Sequence, residues 1–265
     1  MEKLAKSIFI SHGGGPLPLL GDHQHKALVI ALQNLARAIT KPRAIVVVSA
    51  HWEEKIPTIT AIHHPSLIYD YYGFPPESYE IQYPCPGEPS LAEDIFKLLK
   101  NRGISAQLDR ERGLDHGAFV PLKIMYPEAT IPCIQLSLVN TLDPLLHIEI
   151  GQALQQLHEQ NVLLIGSGFS FHNIRAFFEP TNIESHQLNQ AFEHWLEDVC
   201  INEKYSELQR SELLCQWKKA PGAHYCHPRE EHLIPLHVCY GASQGPCEKR
   251  TKISIMNKES SLYVW

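Results

Sequence analysis

Residues 46–52 read Val-Val-Val-Ser-Ala-His-Trp, a segment in which apolar, mostly β-branched residues run up to a histidine. An apolar run without alternation is typical of a strand that is buried on both faces of a sheet. Open α/β sheets bind their ligands just beyond one end of the strands, and His51 would lie at such an end. A single histidine in this position is more often a core residue that is hydrogen-bonded to the backbone. The same pattern recurs in this chain, and the recurrence favours a functional site.

Two further apolar segments lead into histidines. The first, Ser7–Ile10, is followed by His12-Gly-Gly-Gly-Pro, and the second, Val162–Gly168, is followed closely by His172. The three glycines permit unusual backbone dihedral angles and a close approach to a ligand. They do not form a dinucleotide-binding fingerprint, because the spacing GxGxxG is missing and the proline lacks an N–H donor.

Helical and strand patterns alternate along the whole chain, so the sequence predicts a single α/β domain that spans residues 1–265. No repeat or linker divides it. Besides the three segments above, we predict a strand over 131–138 and an edge hairpin formed by 251–255 and 261–265. The predicted helices span residues 24–40, 90–101 (with Ser90 near the N-cap), 144–160, 187–201 and 205–214.

Composition excludes several classes of protein. The 265 residues carry a net charge of −6 with no basic block, which argues against a nucleic-acid-binding surface. No apolar stretch is long enough to span a membrane, and the N-terminus lacks the apolar region of a signal peptide, so we expect a cytoplasmic protein. The seven cysteines are odd in number and show no CxxC spacing, which favours neither a disulfide framework nor a zinc ribbon.

Histidine is unusually frequent, with sixteen residues. His12, His51 and His172 follow predicted strands, while His116 and His232 lie in loops or at helix starts. Strand ends at one edge of an α/β sheet converge, so these residues could share a site. Three neutral imidazoles suit zinc, and three ligands on one face of the ion also suit non-haem ferrous iron. The chain has no HExxH motif, so the spacing alone does not choose between these chemistries.

Seven motifs together resemble those of the class III extradiol ring-cleavage dioxygenases. The resemblance is strongest to their 4,5-DOPA dioxygenase branch, which is related to the catalytic subunit of protocatechuate 4,5-dioxygenase. The motifs span residues 7 to 242 in order, and they are specific as a set. They are HGGGP at 12–16, SAHW at 49–52, YDYYGFP at 69–75, GLDHG at 113–117, QLSL at 135–138, GSGFSFHN at 166–173 and HPREEHLIPL at 227–236.

The resemblance implies a doubly wound α/β fold, with a mixed or parallel sheet between helices on both faces, that holds one Fe(II) ion. Zinc often takes the place of iron in isolated proteins of this branch. By motif, the metal ligands are His12, His51 and His232. The broader class has a glutamate as the third ligand, so Glu231, next to His232, is the alternative.

The resemblance also implies the catalytic residues and the reaction. His172 matches the acid–base histidine, and His116 matches a second pocket histidine that the adjacent Asp115 could orient. Tyr71, Tyr72 and Phe74 would form a wall beside the substrate ring. The implied reaction opens the ring of a catechol with O2 to give a semialdehyde. Two alternatives remain: a zinc-dependent hydrolase that uses the same three histidines, and a non-enzymatic metal-binding relative.

Overall fold

The computed structural model describes residues 5–180 and 182–265 of the chain. Within these residues, eight strands form one sheet: β1 (Ser7–Ser11), β2 (Ala44–Glu54), β3 (Thr58–Thr60), β4 (Gln107–Asp109), β5 (Cys133–Val139), β6 (Val162–Gly168), β7 (Lys249–Ile255) and β8 (Lys258–Val264). The α-helices in the same residues are α1 (Lys26–Ala38), α2 (Pro89–Asn101), α3 (His116–Met125), α4 (Pro144–Ala153), α5 (Ile174–Phe178), α6 (Ile183–Ile201), α7 (Glu207–Cys215), α8 (Ala223–Cys226) and α9 (Ile234–Ser243).

The sheet is mixed, with a parallel centre. Its strand order is β4-β3-β5-β2-β6-β1-β8-β7. The four central strands β5, β2, β6 and β1 are parallel, whereas the C-terminal hairpin β7–β8 joins β1 in antiparallel orientation. Because the central strands are parallel, their carboxyl ends lie at one edge of the sheet. The loops that follow β1, β2 and β6 therefore meet there.

Strand β2 shows why its sequence lacks alternation. Ile45 and Val47 belong to the hydrophobic core on one face of the sheet, while Ala44, Val46 and Val48 belong to the core on the other face. The first core includes α1, α3 and α6, and the second includes α2 and parts of α4 and α9. Helices thus cover both faces, and the predicted single-domain, doubly wound α/β architecture is confirmed.

Most predicted elements are present with shifted ends. The strand over 162–168 and the C-terminal hairpin are confirmed. Of the two hairpin strands, β7 lies at the edge of the sheet and β8 does not, because β8 pairs with β1. Ser90 is not an N-cap. Helix α2 begins one residue earlier, with Pro89 in its first turn, where the missing N–H costs nothing. The helix predicted over 144–160 ends at Ala153 and continues as a 3-10 segment, Gln155–Gln160.

The remaining sequence expectations concern cysteines and membranes. All seven cysteines are free, and six of them are buried, as small apolar residues would be. Among the described residues, no helix is both long enough and apolar enough to cross a membrane.

Candidate active site

His12 extends the line of strand β1 and is buried. Its backbone N–H donates to the Gly168 carbonyl at the end of β6, which keeps the two strand ends together. Its Nδ1 lies 3.1 Å from the Ser167 hydroxyl. That hydroxyl already donates its hydrogen to the Gly117 carbonyl, so it accepts from Nδ1–H of His12. The neutral ring is therefore left with an unprotonated Nε2, the atom that binds metals.

The glycine run after His12 makes a turn that other residues would not fit. Gly13 has φ +81°, and a Cβ on it would lie 2.6 Å from Pro18 Cγ and 2.9 Å from the ring of His25. His25 fixes this turn, because its Nε2 accepts from the Gly14 N–H at 3.0 Å and its Nδ1 donates to Asp22 at 2.8 Å. His25 is thus a structural residue.

His51 lies inside β2 rather than after it. The pairing of β2 with β5 shifts register between Val48 and Glu53, and His51 lies in this irregular stretch. Such bulges redirect side chains next to binding sites. The Nε2 atom of His51 is 3.0 Å from Nε2 of His12, and its Nδ1 is 3.7 Å from an Asp70 carboxylate oxygen. With the proton of His12 on Nδ1, this short contact is a hydrogen bond from Nε2–H of His51 to Nε2 of His12, and a metal ion bound to both Nε2 atoms would take the place of that proton.

His116 is the first residue of α3 and is oriented by Asp70. The Asp70 Oδ1 atom accepts from both the backbone N–H and Nδ1–H of His116, each at 2.9 Å. Asp115 does not orient the ring, contrary to expectation. Its carboxylate instead caps α3 and accepts hydrogen bonds from Ser49 and Gln135. The sequence reasoning assigned no role to Asp70, although it lies in the aromatic loop motif at 69–75.

His172 and His232 share one carboxylate. Glu231 Oε1 lies 3.2 Å from Nδ1 of His172 and 2.9 Å from Nδ1 of His232, so each ring donates to it. The other oxygen of Glu231 lies 3.4 Å from Arg229, which also makes a two-point ion pair with Glu53 at 2.7 and 2.6 Å. Carboxylates behind histidines of this kind fix the tautomer and the orientation of the ring.

Burial keeps the candidate ligands neutral. Loss of solvation, with repulsion from neighbouring histidines, lowers the pKa of His12 and of His232 well below the ordinary value. Burial likewise lowers the pKa of His51 to about 3. Burial alone would raise the pKa of Glu231, but the hydrogen bond from His172 and the charge of Arg229 hold it below its usual value. Neutral rings beside ionised carboxylates are the state that a divalent cation requires.

The five histidines surround one cavity of about 280 Å³. The ring centroid of His12 is 4.8 Å from that of His51, 5.4 Å from that of His116 and 5.1 Å from that of His232. Two groups have ligand atoms within 4.8 Å of one another: His12 with His51 and His116, and His172 with Glu231 and His232. The structure therefore brings together all five histidines singled out from the sequence.

The aromatic loop contributes less than expected. Phe74 lines the cavity, but Tyr71 lies behind it, with ring centroids 5.5 Å from Phe74 and 5.8 Å from His116. Tyr72 is 92% exposed and does not line the cavity. Phe169, Phe177 and other apolar residues that the sequence did not indicate also line the cavity.

Comparison with known proteins places the chain among ring-opening enzymes. Residues 7–260 match the family described as the catalytic LigB subunit of aromatic ring-opening dioxygenase. The chain is 40% identical over 245 residues to a 4,5-DOPA dioxygenase extradiol from Beta vulgaris, which covers 91% of this chain and 88% of that protein. It is 32% identical over 240 residues to the Escherichia coli protein of the same name, which covers 90% and 85% of the two chains.

A further relative and a solved structure also match the chain. A protein named dioxygenase tasH, from Hapsidospora irregularis, is 40% identical over 260 residues, which are 91% of this chain and 78% of that protein. The crystal structure of an uncharacterized Escherichia coli K12 protein superimposes with a TM-score of 0.78 at 28% identity, and covers 97% of this chain and 98% of the other.

Proposed function

The chain belongs to the family of catalytic LigB subunits of aromatic ring-opening dioxygenases and is an extradiol dioxygenase; we propose that it opens a catechol with O2 at an Fe(II) ion held by His12, His51 and His232. The observation that carries the proposal is the set of five imidazoles around one cavity. Four of them, all except His51, donate Nδ1–H to a serine or a carboxylate, which leaves Nε2 free in the neutral ring.

Ring spacing supports His232, rather than His116, as the third ligand. Three imidazoles bound to one ion through nitrogens about 2.1 Å away have ring centroids roughly 4.5–5.3 Å apart. The rings of His12, His51 and His232 are 4.8, 5.0 and 5.1 Å apart, which fits such a triad. The rings of His51 and His116 are only 3.9 Å apart, which is below this range, although their ligand atoms lie within 4.8 Å of each other.

The other two histidines are left for the substrate. His172 lines the cavity with its Nδ1–H bound to Glu231, so its Nε2 can take a proton from a catechol hydroxyl and later return one. His116, held by Asp70, can accept a hydrogen bond from the second hydroxyl or contact dioxygen. Phe74 and Phe169 line the same cavity with apolar rings.

A redox-active metal supplies the templating of both substrates and the electron transfer between them. Proton movement falls to His172 and orientation to His116. Both atoms of O2 enter the product, which is a ring-opened semialdehyde. We propose Fe(II) as the active metal, while zinc can fill the same three-histidine site without redox activity.

An oxygen electrode tests this function. The protein is loaded with Fe(II) without oxygen, and a panel of catechols is added with air-saturated buffer. We expect one O2 consumed for each yellow ring-opened product formed, and no uptake by the zinc-loaded protein. Failure of every catechol to cause oxygen uptake would contradict the proposal. Zinc-dependent hydrolysis under argon would instead favour the hydrolase alternative.

A further inference from the structure

The cavity beside the five histidines is apolar. The rest of its lining consists of glycines and hydrophobic side chains, and no lysine, arginine, aspartate or glutamate among the described residues is part of it. Besides the histidines, the lining residues are Gly13, Gly14, Gly15, Leu17, Phe74, Phe169, Ile174, Phe177, Phe178 and Met256. A charged group on a substrate would therefore find no oppositely charged partner among the side chains that line this cavity, and any part of it that became buried there would lose hydration without compensation.

Helix α5 exposes apolar side chains at this cavity. Ile174 and Phe178 are one helical turn apart, so they lie on the same face, and both line the cavity. They are 62% and 77% exposed, respectively. Phe177 anchors the helix, because its ring packs 5.7 Å from Phe169 and 5.3 Å from Phe171. An apolar group that extends from a bound ring would cover Ile174 and Phe178 and remove their surface from water.

The charges immediately behind the histidines are negative. Asp70 contacts His116 and lies 3.7 Å from His51, and Glu231 contacts His172 and His232. Both carboxylates are partly shielded from solvent, so their fields are only weakly screened. The positive charge of a bound metal would be balanced by the catechol oxygens. A carboxylate on the ring substituent would therefore meet like charges.

The nearby cations are already paired with other residues or do not line the cavity. Arg229 is paired with Glu53 and Glu231. Lys258 is buried behind Phe171, 5.6 Å from the ring centroid, and donates to the Tyr225 hydroxyl. Arg175 is exposed on α5 and does not line the cavity. None of these three side chains lines the cavity.

Resting on the function proposed above, we propose that the site selects catechols whose ring substituent is uncharged and apolar, and that Ile174 and Phe178 are the residues that contact this substituent. The preferred substrate class is thus an alkyl, aryl or ester-substituted catechol, in contrast to catechol carboxylic or amino acids.

Binding without turnover tests the inference. Isothermal titration calorimetry of the Fe(II)-loaded protein under argon compares 3,4-dihydroxyphenylpropanoate with its methyl ester, which differ in charge and little in size. We expect the ester to bind at least about tenfold more tightly, because the acid has to leave its carboxylate unpaired. Equal binding, tighter binding of the acid, or no binding of either compound would overturn the inference.

Variants on α5 and α7 sharpen the test. Phe178→Arg should reverse the preference, since it removes the apolar contact and supplies a cation. Leu208→Arg is the matched control, because Leu208 is 69% exposed on α7 and does not line the cavity; it should leave the preference unchanged. Arg175→Gln should change neither dissociation constant by more than about twofold. A selective loss of acid binding in Arg175→Gln, or an unchanged preference in Phe178→Arg, would contradict the assignment.

A separate assay keeps the two proposals distinguishable. Oxygen uptake with 4-methylcatechol, which has no charge and only a minimal substituent, tests the dioxygenase activity alone. Tighter binding of the ester than of the acid, without any oxygen uptake, would support the inference and contradict the proposed function. Turnover of 4-methylcatechol together with tighter binding of the acid than of the ester would support the proposed function and contradict the inference.

Discussion

The imidazole rings of His172 and His232 are stacked, with centroids 3.3 Å apart and 16° between their planes. The proposed acid–base residue is thus in direct contact with a proposed metal ligand. Glu231 accepts a hydrogen bond from Nδ1 of each ring, so one carboxylate sets the tautomer of both. The proposed proton transfer and metal binding thus depend on residues that contact one another. Single substitutions can measure the contribution of each residue to the two functions.

Replacement of His172 by alanine should remove turnover and leave the metal in place. We expect kcat to fall by about 10²- to 10⁴-fold, the usual contribution of a general acid–base residue. Metal content by elemental analysis and product absorbance would be measured on the same sample. His64→Ala is the control, since His64 is exposed on the surface. Retained ring-opening activity in His172→Ala would refute its role.

Glu231→Gln should weaken activity or metal affinity by about 10- to 100-fold, because partners behind metal ligands contribute on this scale. The neighbouring Glu230 offers a matched control: it pairs with Lys218 at 2.8 Å, and Glu230→Gln should behave as wild type. Complete loss of metal from Glu231→Gln, with full retention in His232→Ala, would identify Glu231 as the third ligand instead.

His232 and His116 should differ in their effect on metal binding. His232→Ala is expected to lower metal affinity by at least about 100-fold, because alanine cannot replace a residue that binds the metal directly. His116→Ala should keep the metal and reduce kcat/KM by about tenfold, the size expected for one lost hydrogen bond. Competition with a metal chelator and steady-state kinetics would measure the two effects. The opposite pattern would favour His116 as the ligand.

Glu193 provides a test of pH-dependent stability outside the active site. Glu193 is a buried residue of α6, and its burial raises the pKa of its carboxyl group. Hydrogen bonds from Ser170 and Ser261 and the charge of Arg250 lower this pKa, but by less than burial raises it. A group whose pKa is higher in the folded state than in the unfolded state contributes its full stabilisation when the pH is below its ordinary pKa. That contribution is lost as the pH rises through the pKa of the folded state.

Glu193→Gln should therefore gain stability relative to wild type as the pH rises from the ordinary glutamate value of 4.5 towards neutrality. Urea unfolding of both proteins across this range would measure the difference, with Asp94→Asn as a surface control, since Asp94 is exposed and pairs with Lys97. A difference in the free energy of unfolding that stays constant with pH would contradict this account.

Those parts of the site that follow strands could be predicted from the sequence. Apolar runs locate β1, β2 and β6, and histidines at or after their ends must meet because parallel strands end at one edge. His12, His51 and His172 were found in this way, whereas His116 and His232 gained their roles from motif resemblance. The buried β2 run was also recognisable, since alternate residues pack into two different cores.

The residues behind the histidines could not be predicted. Asp70 is 46 positions from His116 in the chain, and only the path of the aromatic loop brings them together. Asp115 was the sequence candidate because it is adjacent, but a residue at an N-cap directs its side chain to the helix backbone instead. The pairing of Arg229 with Glu53 spans 176 positions and depends on where β2 ends. Such contacts are set by loop geometry, for which one sequence offers no periodic signal.

The most direct test of the account is a crystal structure of the Fe(II)-loaded protein, grown without oxygen, with diffraction recorded at the iron absorption edge. We predict one anomalous peak within bonding distance of Nε2 of His12, His51 and His232, with His172 and His116 facing it without bonding. An ion bound by His12, His51 and His116 without His232, or no ion common to His12 and His51, would contradict the account.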